Sequence, residues 1–409
     1  MYSIQVPRRF TTSDWGGTET AVLQSSRQLA SRGHRVGIFT SMALAANARE
    51  SVGGIEVRRF SHVYPFVGLA PGDIDAMDRK GGNLLSAGLM RALLAEKGVA
   101  LFHAHSANRL GGMVRTVAKL RRIPYVVSLH GGWFDLPAES RQDLERPHRG
   151  RLEWGKAIGW MLGSRRVLAD AAAVICVGQN EYDGARRQLP DSRIERLPNG
   201  VDVERFAGGN GPRFRRSFGI PESRGIVLNV GRIDPQKNQL RLIEAFARPE
   251  LSGRDLHLAL IGGVTDHAYY RAVTERIAGL GIGDRVTLIP GLAPQDETLL
   301  DAYRAASMFC LPSVHEPFGI VALEAWAAGL PVIASRAGGL GTLVVDGEDG
   351  LQVDGKQAGE IAAAIALLAD VPELAKRLAA AGHSKARERY DWSVVGNQLA
   401  RLYEDVTRH

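Results

Sequence analysis

Glu316 and Glu324 lie in the stretch Ser313–Glu324, where an apolar run gives way to a helical pattern. Met308 to Leu311 reads as a short buried strand, and Pro312 to Pro317 as the loop that follows it. From Gly319 onward Ile320, Leu323, Ala327 and Ala328 recur on one helical face. A helix that begins at the carboxyl edge of a strand aims its free N–H groups and positive dipole end at the ligand crevice of an α/β sheet. Phosphate is the guest that such a terminus favours. Eight residues of helix rise about 12 Å, so the two carboxylates could grip opposite ends of an elongated guest. Carboxylates are poor ligands for phosphate but good acceptors for sugar hydroxyls. The stretch therefore implies a phosphate flanked by two polyols, the description of a nucleotide-sugar. Two surface glutamates around a helix start is the plainer reading, and the pair alone does not decide between them.

Other residues fit the same guest. Gly225 to Val230 reads as a strand that runs into Gly231-Arg-Ile-Asp-Pro-Gln-Lys-Asn238. Arg232 and Lys237 on that loop can both reach one diphosphate, the arginine as a fork and the lysine as a point charge. Gly262 and Gly263 end the next strand, a place for a nucleotide wall. Gly16 and Gly17 precede a helical run from Ala21 to Leu29 and offer close backbone approach to phosphate or sugar. They do not form the G-x-G-x-x-G of a dinucleotide site, and the next strand ends in Thr40-Ser41 rather than an acidic residue. His130 stands at a strand end before Gly131 and Gly132, a position where ligands bind. His103 and His105 share one face of a strand. A zinc site would need a third ligand of fitting spacing, and none is evident. Asp73 and Asp75 form an Asp-x-Asp pair in an expected loop, read as solvated residues and not as metal ligands.

These residues need strand ends to carry them, and the chain supplies two sets of alternating strands and helices. Its 409 residues exceed one core and suit two α/β domains. The expected division is an amino-terminal domain over residues 1–207, a second over 208–390 with Gly208 to Pro221 as linker, and a last helix within 391–409. Similar strands, Ala173–Val177 and Ser307–Leu311, occur late in each half. Hydrophobic residues make up 45% and charged residues 23%, ordinary for a soluble globular protein. No apolar run approaches the roughly 20 residues of a membrane span, and the start lacks a signal-peptide core. Cys176 and Cys310 sit in apolar strands, so buried free thiols and a cytoplasmic location are expected. The charge is lopsided: residues 1–200 carry 28 basic and 18 acidic side chains, a balance of +10, against 23 and 26 in the remainder. Clusters at Arg115, Lys119, Arg121 and Arg122 and from Arg141 to Arg166 could face an acidic acceptor or anionic lipid at the inner face of a membrane. No nucleic-acid motif accompanies them. Residues 151–169 read as a basic amphipathic helix with Trp154, Ile158, Met161 and Leu162.

With these motifs in order, the sequence resembles the retaining glycosyltransferases of family 4, which have the GT-B fold. Glu316 to Glu324 fits their E-x-F-G-x-x-x-x-E signature, and Arg232 and Lys237 match G-R-x-x-x-x-K-N residue for residue. The likeness extends to Gly16-Gly17, the His103/His105 pair, His130 and Pro198-Asn-Gly-Val-Asp202. It implies α/β architecture, two Rossmann-like doubly wound domains facing a central cleft, with the last helix crossing back to the first domain. It also implies transfer of a sugar from a nucleotide-sugar, a UDP-sugar favoured over GDP-mannose, to a glycan, lipid-linked or small-molecule acceptor, with no metal or cofactor. The catalytic set carried over is His130, Glu316, Arg232 and Lys237. The donor set adds Gly16, Gly17, Gly262, Pro317, Phe318, Gly319, Ile320 and Glu324. The acceptor side takes His105, Tyr64 and Trp133. Thr342 departs from the family, which often has an acidic residue there. Two other readings stay open: a GT-B relative acting as an epimerase or phosphorylase, and a non-catalytic basic scaffold for membrane or nucleic acid.

Overall fold

The computed structural model describes residues 1–12, 15–79, 81–134, 146–292 and 296–408. The chain forms two compact units, Met1–Asn199 with Trp392–His409, and Gly200–Asp391.

The first unit is built on an eight-stranded sheet of order β3-β4-β2-β1-β5-β6-β7-β8. Its strands are β1 (Tyr2–Val6), β2 (Arg35–Ser41), β3 (Arg49–Val52), β4 (Ile55–Phe60), β5 (Leu101–Ala104), β6 (Tyr125–Leu129), β7 (Ala173–Cys176) and β8 (Ile194–Arg196). All pairings are parallel except β3 with β4. Every residue of β1, β5, β6 and β7 is buried, as expected when both faces of a parallel sheet are covered. One face packs Ile4, Val6, Phe102 and Val127 under helices Ala87–Ala95 and Arg109–Arg121. The other packs Leu101, Val126 and Ile175 against Leu399, Leu402 and Tyr403 of helix Trp392–Thr407. From β1 the chain first builds to one side and then crosses to β5 on the other. The carboxyl ends of β1 and β5 thus form a topological switch point, where such sheets bind ligands.

The second unit has six parallel strands in the order β11-β10-β9-β12-β13-β14. They are β9 (Gly225–Val230), β10 (Leu256–Gly262), β11 (Val286–Pro290), β12 (Met308–Leu311), β13 (Val332–Ser335) and β14 (Leu351–Val353). Here the order reverses between β9 and β12, so the loops after those strands, Gly231–Asn238 and Pro312–Gly319, meet.

Several expected elements differ. The segment Gly208 to Pro221 is no free linker: Asn210 caps a helix, Gly211–Ser217, that buries Phe214 within the second unit. The basic helix over 151–169 shrinks to Lys156–Met161 plus a single turn, Ser164–Arg166, because Gly163 takes a left-handed conformation. Of its expected apolar face only Leu162 is buried; Trp154 and Met161 are exposed. The loop holding Asp73 and Asp75 is a helix, Pro71–Arg79. Asp73 pairs with Arg151 at 2.5 Å and accepts the Ala70 N–H, while Asp75 pairs with Arg79. Arg141 at the start of the basic stretch, and Ser13 and Asp14 in the loop before Gly16, lie outside the described residues. Both cysteines are buried and free. Among the described residues no helix is long and apolar enough to cross a membrane.

Candidate active site

In the second unit the two loops are stitched together from their backbones outward. Asp234, 4% exposed, folds the first loop by accepting the Lys237 N–H and the Thr265 hydroxyl, and it pairs with Arg232 at 3.3 Å. Gln236 joins the second loop twice, its carbonyl accepting from Val314 N–H and its amide donating to the His315 carbonyl, both at 2.8 Å. Asn238 adopts a left-handed conformation and donates its side-chain amide to Pro312 and Gly355 carbonyls. This stitching directs Lys237 inward to an ion pair with Glu316, with both side chains largely buried. The Ser313 hydroxyl lies 3.4 Å from the same carboxylate. Arg232 stays half exposed beside them.

Gly319 caps helix Ile320–Ala327 at φ 100°, a conformation that a side chain resists, and a Cβ there would stand 2.5 Å from Leu340. The helix is anchored by Trp326, fully buried, whose indole N–H donates to the Asp349 carbonyl at 2.9 Å. Its buried face is wider than the expected one and includes Ala322, Ala325 and Trp326. Glu324 accepts the Tyr303 hydroxyl at 2.7 Å. Burial raises the Glu324 carboxyl above the ordinary range, against the Tyr303 hydrogen bond and the charge of Arg205. Pro317 and Phe318 are covered by the Gly338–Gly339 turn, where Gly339 N–H donates to the Glu316 carbonyl. The Phe318 ring is buried and meets Tyr390 edge-on, so it supports the loop. Ile320 remains part-exposed in the first helical turn. Gly262 has a packing reason: a Cβ would fall 1.9 Å from the Gly231 carbonyl oxygen, which locks the ends of β9 and β10 together. Thr342 is exposed and its hydroxyl donates to the Gly339 carbonyl.

In the first unit the switch point opens into a cavity of about 340 Å³ whose lining includes Arg8, Arg9, Arg79, Glu19, His105 and His130. Trp133 also lines it and is 41% exposed. Gly16 and Gly17 are not in the lining; they start helix Gly17–Ser31, whose Thr18 and Glu19 are. Glu19 is buried, accepts the Gly16 N–H at 3.2 Å and pairs with Arg9 at 2.9 Å. Tyr64, expected on the acceptor side, is instead a core residue, 7% exposed, with its hydroxyl donated to Asp78.

His130 and His105 come together, His130 Nε2 lying 2.8 Å from His105 Nδ1. His105 Nε2 meets Gln5 Oε1 at 2.8 Å, and the Gln5 amide donates to the Tyr403 hydroxyl at 2.9 Å. Tyr403 contacts His103 Nδ1 at 2.6 Å, and His103 Nε2 contacts Ser128 Oγ at 2.7 Å. Burial lowers the pKa of all three imidazoles, to about 3 for His103, about 4 for His130 and well below the ordinary value for His105. They are neutral near pH 7. No three His, Cys, Asp or Glu side chains gather as a metal site among the described residues.

Arg8, Glu19, Asp234 and Tyr303 were not in the expected set. G-x-x-E at a helix start, Gly16 to Glu19, was a usable signal for one of them. The others are joined only by the fold.

Residues 15–205 match the family described as Glycosyltransferase Family 4, and residues 211–385 that described as Glycosyl transferases group 1. The D-inositol 3-phosphate glycosyltransferase of Rhodococcus opacus (strain B4) is 32% identical over 407 residues, covering 97% of this chain and 87% of that protein. That of Stackebrandtia nassauensis is 32% identical over 409 residues, covering 97% and 88%. Sucrose-phosphate synthase from Thermosynechococcus elongatus has a TM-score of 0.73 at 22% identity, covering 100% of both chains. Anabaena HepE, solved with UDP, has a TM-score of 0.73 at 19% identity, covering 99% of this chain and 100% of that one. These structural likenesses establish the GT-B fold. With relatives alike along nearly its whole length, the chain belongs to the group 1, family 4 glycosyltransferases and is an enzyme of that class.

Proposed function

We propose that this enzyme transfers a sugar from a UDP-sugar to a small anionic polyol, with retention of the anomeric configuration and without a metal ion. The observation that carries the reading is the buried Lys237–Glu316 pair beside Arg232 and the start of helix Ile320–Ala327. Two cations and a helix N-terminus suit a diphosphate, and Glu316 suits a sugar hydroxyl next to it. The bond from the anomeric carbon to the diphosphate oxygen breaks. The acceptor hydroxyl oxygen bonds to that carbon from the same face, and its proton passes to the departing diphosphate. Lys237 and Arg232 offset the charge that grows on this leaving group, the term most worth stabilising in such a step. Glu324 accepts ribose hydroxyls, and His130 orients the sugar.

The donor nucleotide follows HepE, which was solved with UDP and with UDP-glucose. The acceptor class follows the D-inositol 3-phosphate glycosyltransferases and the three guanidinium groups against one carboxylate around the first-unit cavity. An inner-membrane-face location is a further part of the reading. Leu152, Trp154, Trp160 and Met161 stand exposed among exposed Arg149, Lys156 and Arg165. Nearby Glu153 is tied to Arg109, and Asp170 to Arg115 and Lys119.

The test is transfer from UDP-glucose to inositol 3-phosphate with excess EDTA, with the product linkage read by NMR. An α-linked product and undiminished rate with EDTA are expected. Lys237→Ala should cost about a hundredfold or more in kcat, the scale of losing one preorganised charge partner. A β-linked product, or a rate abolished by EDTA and restored by a divalent ion, would overturn the mechanism.

A further inference from the structure

The hydrogen-bond chain of the first unit starts at His130 and ends at Ser128, and both of these residues line the same cavity. Between them run His105, Gln5, Tyr403 and His103 in unbroken contact, each link between 2.6 and 2.9 Å. A neutral imidazole has one N–H and one bare nitrogen, so every link constrains the next. Gln5 Oε1 can only accept, so His105 carries its proton on Nε2 and leaves Nδ1 bare. His130 must then donate from Nε2, and its own Nδ1 is bare. On the other side Gln5 donates to Tyr403, which is 0% exposed and whose hydroxyl meets no other acceptor among the described residues. It therefore gives its hydrogen to His103 Nδ1, and His103 then donates from Nε2 to Ser128. The Ser128 hydrogen is thereby left for another acceptor. Turning the Gln5 amide over would reverse every link together.

The rings reinforce this neutrality. His103 and His105 stack with centroids 4.1 Å apart, and His105 and His130 at 5.1 Å, so a proton on one is opposed by its neighbours. His130 Nδ1 makes no hydrogen bond among the described residues.

We propose that Gln5 and Tyr403 are positioning residues that fix the tautomer of His130, so that the cavity is offered an acceptor at His130 Nδ1 and a donor at Ser128. The two ends are coupled: the site presents one acceptor and one donor, and never two of a kind. A polyol hydroxyl donating to His130 and an oxygen accepting from Ser128 fit this polarity. The link to turnover rests on the proposed transferase reaction, whereas the tautomer itself does not.

The test uses full-length protein labelled with 15N-histidine, in which the nitrogen shifts separate bare from protonated positions. In the wild type His130 should be a single neutral tautomer, protonated on Nε2, at pH 7. Gln5→Leu removes the acceptor for His105 and should leave His130 as a mixture of both tautomers. Turnover should then fall roughly two- to tenfold, as the competent fraction falls, while UDP affinity, carried by the second unit, stays within about twofold. Tyr403→Phe keeps the ring packing and unpins the Gln5 amide, so it serves where Gln5→Leu does not fold, with the same expected mixture. Gln5→Asn, which keeps an amide, should recover part of the wild-type population. His130 protonated on Nδ1 or doubly protonated in the wild type would overturn the proposal. So would a single unchanged tautomer in both folded variants. A correct tautomer with no transferase activity would instead count against the function alone.

Discussion

Glu324 shows how one residue can be set by two opposed demands. It is pushed toward its neutral form by burial, and the Tyr303 hydroxyl at 2.7 Å and Arg205 pull it back toward the carboxylate. A ribose that donates two hydroxyls would complete that carboxylate's solvation. Glu324→Gln keeps the shape and removes the charge. Charge-assisted hydrogen bonds are worth about 1.5–3 kcal/mol, so the variant should bind UDP about ten- to a hundredfold more weakly by calorimetry. Tyr303→Phe should lower stability more than affinity, because it leaves the donor side of Glu324 intact. Equal UDP affinity in Glu324→Gln and wild type would remove this residue from the nucleotide site. The pair of glutamates was visible as a spacing, though only the motifs around it gave that spacing a meaning. The Lys237–Glu316 contact was not, because its partners are 79 residues apart and meet only when β9 and β12 become neighbours. Asp234 was overlooked for a related reason: it turns the loop that aims Lys237, and a buried turn carboxylate has no sequence spacing of its own.

At the scale of elements, apolar buried strands were legible and polar edge strands were not. β9 and β12 match their expected bounds, since apolar runs between turn residues have few other uses. β3 runs Arg-Glu-Ser-Val and β8 Ile-Glu-Arg, edge strands with too little apolar content to announce themselves. The segment 151–169 was misjudged because Trp, Ile and Met at helical spacing were read as the apolar face of one amphipathic helix. In the fold Leu152 is 72% and Trp160 79% exposed, and the helical part is six residues long. This element carries the membrane prediction. Binding to vesicles should rise with acidic lipid and fade with salt, at about 1 kcal/mol per basic residue near the surface. Trp160→Ser with Met161→Ser should weaken binding to acidic vesicles at least fivefold in sedimentation, without changing transfer to a water-soluble acceptor. Sedimentation indifferent to lipid charge at low salt would leave the patch without this partner.

For the whole molecule, the neutral buried histidines set an acid limit. The folded pKa of His103 is about 3 and that of His130 about 4, both below the ordinary 6.5, and His257 in the second unit is lowered to about 4. The unfolded chain therefore binds protons that the folded chain refuses. Stability from this source is complete above about pH 6.5 and is lost as the pH falls toward 4, by up to about 1.4 kcal/mol per pH unit for each fully buried histidine. His105 and His130, part-exposed at the cavity, contribute less. Glu19 and Glu324, raised by burial, act in the opposite sense at the acid end. Urea midpoints should be flat from pH 8 to 7 and fall steadily from 6.5 to 5, with a shallower fall in His103→Gln. An unchanged midpoint across that window would refute the assignment.

Gln5 and Tyr403 are 398 residues apart, and helix Trp392–Thr407 supplies much of one face of the first unit's core. A growing chain synthesises the first eight strands early, yet it lacks Leu399, Leu402 and Tyr403 until all of Gly200–Asp391 has been made. The first half thus emerges from the ribosome with Leu101, Val126 and Ile175 uncovered, a period in which exposed apolar surface invites chaperones. The hydrogen-bond chain that joins His130 to Ser128 is closed only by Tyr403 of that late helix, so a truncated product would lack it however complete its second unit.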